Sequence, residues 1–235
     1  MLGIVLSIGW MLLRARAGKR SATLDACLLA LGGGILLGRV GHVMLNWAYF
    51  RDHTDEIIRI YWQGGLSVPG VVMGAYLGLW IAARWRKLDF VHLLDSATLV
   101  LPLLALMGWW GCAANACAYG APVEHMTDYP PLLTWVQPDI YGIVEPRFAI
   151  QRMGIVLSAI LLSITVMIFW QGWLVGKRFP LMLILVLITY TLLDIGELNY
   201  DSFPASISAE GGLSLAISLI LGLLLVRNSF PQTKN

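Results

Sequence analysis

Arg39, His42 and Asn46 lie within one long apolar run, three and four residues apart, a spacing that sets them on a single helical face. A charge in such a run is costly and usually faces a bundle interior or a wet cavity. Two readings of Arg39 stand at this point. It can be an internal partner for Asp194 or for helix-end carbonyls, or its planar donor fork can hold an anionic group such as a lipid phosphate. His42 reads as an interior hydrogen-bonded histidine or as a proton acceptor. Asp194 and Glu197 close another apolar run, and Arg152 opens a third. Asp95 reads as a residue that caps or pairs within the bundle. "QGGLSVPG" (63–70) brings glycines and a proline to a helix start. It reads as a plain helix entry, or as exposed N–H groups suited to an anion.

The cysteines carry less chemistry than their number suggests. Cys27, Cys112 and Cys117 show no metal-ligand spacing, so no metal is expected. Cys112 and Cys117 are about 140° apart around a continuous helix, too far along it for an unstrained disulfide. They read as small packing residues in "MGWWGCAANACAYG" (107–120), a stretch rich in Gly and Ala that permits close helix contact.

The elements that must position these residues are membrane helices. The 235-residue chain is 58% hydrophobic and 13% charged, with mean hydropathy +0.73. A soluble domain carries roughly 25% charged residues. Apolar runs fall at 24–48, 67–84, 90–118, 150–175, 180–194 and 211–226, after a shorter run over Met1 to Leu13. The fold expected is an all-α integral membrane protein with about seven transmembrane helices in a single domain over 1–235. Basic residues gather after alternate runs, at Arg14 to Arg20, Arg84 to Lys87, Lys177 and Arg178, and Arg227 with Lys234. The intervening loops carry Asp52, Asp55, Glu56, Glu124, Asp128, Asp139, Glu145, Asp201 and Glu210, with few basic residues. Lys and Arg favour the cytoplasmic side, so the N-terminus is expected outside and the C-terminus inside. Arg39, His42, Asp194, Glu197 and both glycine-rich stretches then converge on the outer half of the bundle. The net charge of +2 is sorted by loop and forms no patch, so it says nothing about nucleic acid, and no nucleic-acid partner is expected.

Several stretches, in order, resemble the bacterial prolipoprotein diacylglyceryl transferases. They are "GGGILLGRVGHVMLNWAYF" (32–50), "IYWQGGLSVPGVVMGAYLGLWIAARWRKLDF" (60–90), "LLDSATLVLPLLALMGWWGCAANACAYGAP" (93–122) and "GGLSLAISLILGLLL" (211–225). The resemblance implies a multi-pass protein of the bacterial cytoplasmic (inner) membrane that needs no cofactor. It would transfer diacylglyceryl from phosphatidylglycerol to the lipobox cysteine of a preprolipoprotein. It also implies lipid contacts at Arg39, Gly65, Ser67, Asn115 and Tyr119, with His42, Asp194 and Glu197 as candidates for the proton chemistry. The family signature Gly-Arg-x-Gly-Asn-x-x-Asn-x-Glu-x-x-Gly is kept here at Gly108, Gly111, Asn115 and Gly120. Trp109 stands in place of its arginine, Cys112 of its first asparagine and Cys117 of its glutamate. Pro69 stands in place of a family histidine, Gln151 in "EPRFAIQ" (145–151) of a glutamate, and "YTLLDIGELNYD" (190–201) replaces the sixth-helix pattern. Arg39 or Arg152 would then have to supply the cation. The alternative is a catalytically inactive relative that binds lipid or protein as a subunit of a membrane complex.

Overall fold

The computed structural model describes residues 1–60, 65–115, 117–139, 141–197 and 207–227. Trp62, Gly64, Asp201, Lys234 and the side chain of Glu197 lie outside the described residues. The helices are α1 (Leu2–Arg14), α2 (Arg20–Leu45), the short α3 (Trp47–Phe50), α4 (Val68–Trp85), α5 (Phe90–Ala97), α6 (Val100–Asn115), α7 (Ile150–Gln171), α8 (Arg178–Glu197) and α9 (Ala209–Arg227). Five helical segments are long and apolar enough to cross a membrane: Arg20–Leu45, Val68–Trp85, Phe90–Asn115, Ile150–Gln171 and Arg178–Ile195. Leu2–Arg14 and Ala209–Leu225 are shorter apolar helices. The chain is accordingly a largely helical integral membrane protein, as composition requires. Among the described residues the strands form one antiparallel hairpin, β1 (Thr134–Pro138) with β2 (Val144–Phe148), in register from Thr134 opposite Phe148 to Pro138 opposite Val144.

The chain divides into two compact units, Ile8–Ala97 and Met1–Ser7 with Thr98–Asn235. In the first, α2 and α4 run antiparallel with backbone against backbone. A Cβ on Gly74 would overlap the carbonyl of Gly33, and one on Gly70 or Gly78 would meet the carbonyl of Leu37 or Leu29. Four-residue spacing puts Gly70, Gly74 and Gly78 on one stripe, and small residues let membrane helices approach this closely. Pro69 sits in the first turn of α4, where its missing N–H costs nothing.

In the second unit, α7 packs on α6 and α8, and α8 on α9. Gly172, at φ +71°, ends α7 in the left-handed conformation that favours glycine. The start of α9 is tied to α8 by Asp194. Its carboxylate accepts from the Ser208 hydroxyl at 2.8 Å and the Ser208 backbone N–H at 3.0 Å. Ser208 in turn caps α9 by accepting from the Gly211 N–H at 2.9 Å.

Candidate functional site

The face expected on α2 forms, and it meets the glycine-rich stretch within the same unit. Arg39 is buried, and its guanidinium donates to three backbone carbonyls: Glu56 at 2.6 Å, Ile57 at 2.8 Å and Gly65 at 3.2 Å. Its Cζ lies 5.1 Å from the centre of the Phe50 ring. Of the two readings of Arg39, helix-end and loop carbonyls are the partners found. His42 approaches the same glycine: a Cβ on Gly65 would run into the imidazole. Gly65 is at φ +77°, so conformation and space both require glycine there. The His42 ring also meets the edge of Phe50, with centroids 5.8 Å apart. Asn46 turns back to donate to the His42 carbonyl at 2.9 Å. The Ser67 N–H donates to the Gly38 carbonyl at 2.9 Å, which leads α4 off α2. The Ser67 hydroxyl is buried without a hydrogen-bond partner among the described residues. Arg39, His42, Gly65 and Ser67 therefore form one cluster.

Asn115 and Tyr119 belong to the other unit and are differently placed. α6 ends at Asn115, so Tyr119 does not continue its helical face as expected from the sequence. Asn115 is exposed and donates to the Gly111 carbonyl one turn back, at 2.8 Å. Beyond it the chain reverses: the Cys117 N–H reaches the Cys112 carbonyl at 3.1 Å. Cys112 and Cys117 are disulfide-bonded, with Cα atoms 4.6 Å apart. That corrects the packing role read from the sequence. The objection to a disulfide assumed an unbroken helix, and the chain turns back between the two cysteines. Cys27 is the free cysteine.

Trp109 and Gln151, which stand where the resemblance implies an arginine and a glutamate, and the retained Tyr119 each have a partner in the second unit. Trp109 lies against α7, where a Cβ on Gly154 would strike its indole. Gln151 is buried and donates to the Cys117 carbonyl at 2.6 Å. Tyr119 lies under the Arg147 guanidinium, 5.0 Å from ring centre to Cζ. Arg147 is buried and pairs with Asp139 at 3.2 Å and Glu145 at 3.1 Å. The other oxygen of Asp139 accepts the N–H groups of Tyr141 and Ile143, closing the hairpin turn. Sequence reasoning passed over Arg147, Asp139 and this hairpin. The signal available was the turn chemistry of Pro138, Asp139 and Gly142. Arg152 is exposed, and its guanidinium stacks on Trp135 of β1 with Cζ 3.5 Å from the ring centre. That contact sets the guanidinium against the face of the indole.

Asp194 is occupied as a cap of α9, as described above. Asp95 is buried on α5. Tyr49, on α3 beside the Arg39 cluster, donates to Glu56 at 2.7 Å. That hydrogen bond, with burial and the charge of Glu56 adding to it, raises the phenol above its ordinary range. Among the described residues no group of three His, Cys, Asp or Glu could hold a metal ion.

Comparison with known proteins assigns these features to a family. The family model for prolipoprotein diacylglyceryl transferase matches residues 1–227. A phosphatidylglycerol–prolipoprotein diacylglyceryl transferase of Clostridium novyi (strain NT) is 28% identical over 252 residues, covering 99% of this chain and 92% of that protein. Proteins of the same name match over shorter spans. The one from Bacillus licheniformis is 35% identical over 52% of this chain and 48% of its own length. The one from Fervidobacterium nodosum is 41% identical over 38% of this chain and 30% of its own. With a family model spanning nearly every residue, and the glycine-rich entry and arginine-bearing helix packed against each other, the chain belongs to the prolipoprotein diacylglyceryl transferase family.

Proposed function

We propose that this chain is a phosphatidylglycerol:prolipoprotein diacylglyceryl transferase of the bacterial cytoplasmic membrane. The observation that carries the reading is the family match over residues 1–227, supported by a transferase aligned along 99% of the chain. In the topology that goes with it, the five long helices and the two shorter ones make seven spans. The basic turns put the N-terminus outside and the C-terminus in the cytoplasm. The Arg39 cluster then lies toward the exported side, where a lipobox cysteine arrives.

The reaction makes one C–S bond and breaks one C–O bond. The acceptor thiolate attacks the glyceryl carbon of phosphatidylglycerol, and glycerol phosphate leaves with the bonding pair. The thiol must lose its proton, because the thiolate is the nucleophile. The departing phosphate gathers charge and needs a cation or hydrogen-bond donors.

Roles are assigned within each unit. In the first, His42 is the group chemically suited to take the thiol proton, and Gly65 lets backbone come up against it. Arg39 positions that backbone by gathering the carbonyls of Glu56, Ile57 and Gly65. The Ser67 hydroxyl, unpaired among the described residues, is a donor that can turn toward a headgroup. In the second unit, the family's arginine position is Trp109, and Arg152 on Trp135 presents an exposed guanidinium for phosphate. Asn115 and Tyr119 frame the turn that follows α6.

Restoration of lipoprotein diacylation in cells depleted of their own transferase tests this reading. Rescue by the wild-type chain is expected, with His42→Ala slowing transfer about 100-fold or more. Absence of rescue at verified expression, with a working control enzyme, overturns it.

A further inference from the structure

The transfer reaction uses none of the residues at the other end of α2. Arg39 is nineteen residues beyond Arg20, about 28 Å along the helix. At the Arg20 end, the turn after α1 and the turn between α4 and α5 enclose a cavity of about 70 Å³, lined entirely from the Ile8–Ala97 unit. Arg14, Arg16, Lys19 and Lys87 line it, against a single carboxylate, Asp89. Arg16 is paired to Asp89 at 2.8 Å. Lys19 and Lys87 make no ion pair among the described residues.

The floor of the cavity is uncharged and its own polar groups are satisfied. The buried hydroxyls of Thr23 and Ser96 donate to the carbonyls of Lys19 and His92, at 3.0 and 2.8 Å. Arg14 lies over the Trp10 ring, 5.9 Å from Cζ to its centre, so the charge left over at the rim is that of Lys19 and Lys87. Lys19 is also the N-cap of the 26-residue α2 and offers no side-chain cap, so the positive end of that helix adds to the same field. Lys87 holds φ +51° just past the end of α4, a position at which glycine is the comfortable choice. The chain accepts that strain and gains an ammonium at the rim.

The surroundings indicate which anion would come. Leu13, Leu24, Trp85 and Val91, from the same turns and helix ends, are exposed apolar side chains, with Trp85 67% accessible. The Arg86 guanidinium lies 5.7 Å from the Trp85 ring. Tryptophan beside arginine at the end of an apolar helix marks the headgroup level of a bilayer. Basic pockets between helices at that level suit anionic lipid headgroups.

We propose that this cavity is a second lipid site, separate from the Arg39 cluster, whose cationic rim takes the phosphate of an anionic glycerophospholipid. Lys19 and Lys87 supply the uncommitted charge, while Arg16 is held in place by Asp89. The proposal stands apart from the assignment of transferase activity and does not depend on it.

The test uses the full chain in detergent micelles, with phosphatidylglycerol, phosphatidylcholine or inorganic phosphate added in turn. Lipid retention is read by native mass spectrometry, and amide hydrogen exchange is read over residues 14–20 and 86–92. Phosphatidylglycerol is expected to slow exchange in both segments, and phosphatidylcholine and inorganic phosphate to leave them unchanged. Lys19→Gln with Lys87→Gln should weaken phosphatidylglycerol retention about tenfold, the worth of one charged hydrogen bond. Lys19→Arg with Lys87→Arg should keep both the retention and the protection. Equal protection by inorganic phosphate would overturn the lipid assignment. Unchanged retention and unchanged exchange in the glutamine double variant would overturn the site.

Discussion

The α2–α4 pair and the region where α6 meets α7 answer the same family heritage in opposite ways. Along α2 and α4, Arg39 and the glycines at 70, 74 and 78 meet backbone: Gly74 against the Gly33 carbonyl, Arg39 on three carbonyls. Around α6 and α7 the signature arginine, first asparagine and glutamate are replaced by Trp109, Cys112 and Cys117, while Asn115 is kept, and side chains have taken over. Trp109 fills space against Gly154, a disulfide joins Cys112 to Cys117, and Gln151 holds the Cys117 carbonyl. Backbone contacts leave no freedom of substitution, because any Cβ is too much. Side-chain contacts can be replaced by others of similar volume or donor capacity.

The sharpest way to break that contrast is at the glycines. Gly74→Leu should destabilise the chain by about 3 kcal/mol or more, since the helices must part to admit it. The expected readout is loss of monodisperse protein in detergent. Gly108→Ala and Gly111→Ala on α6 meet nothing within 4 Å of the added methyl, and should leave stability unchanged or raise it by about 0.5 kcal/mol. Equal damage at both places would end the comparison.

Arg39→Ala comes next. It leaves three carbonyls without their donor and should cost about 2–4 kcal/mol. The loop after α3 should become cleavable by protease at lower enzyme concentration. Arg39→Lys should rescue little of this, because a point charge does not reproduce the fork.

Cys112→Ser should cost about 2 kcal/mol, as expected for a short loop. Thiol labelling without reductant should modify Cys27 alone in the wild-type chain, once unfolded, and Cys27 with Cys117 in the variant. Two labelled cysteines in the unfolded, unreduced variant are thus expected against one in the wild type.

The smallest effect belongs to the basic end of the first unit. Asp89 is held below the usual carboxylate range, first by the His92 backbone N–H and then by Arg16. A carboxylate lowered on folding contributes stability above its unfolded value of 3.8 and loses it as pH falls through the lower folded value. Asp89 is exposed, so solvent screens the gain. Asp89→Asn should lower the melting temperature slightly at neutral pH and match the wild type in strong acid.

Much of the fold was legible in the residues themselves. The apolar run at 67–84 became α4 at Val68–Trp85, and the run at 180–194 became α8 at Arg178–Glu197, because a bilayer tolerates nothing but satisfied backbone. The cluster of Arg39, His42, Gly65 and Ser67 was half legible. Helical spacing put Arg39 and His42 on one face, but only packing could bring Gly65 to both.

The rest was undetermined by local pattern. Asn115 ends α6 inside an apolar stretch that runs on to 118, and the reversal that follows is what makes a disulfide possible. No periodicity announces it, because the turn is held from further along the chain, by Gln151 on the Cys117 carbonyl. The carbonyl partners of Arg39 and the Ser208 partner of Asp194 are likewise set by where loops return. Composition and spacing determined that the chain crosses a membrane and which faces its charges share. Tertiary structure decided what those charges hold, because a charge inside a membrane takes whichever backbone or side chain the fold delivers to it.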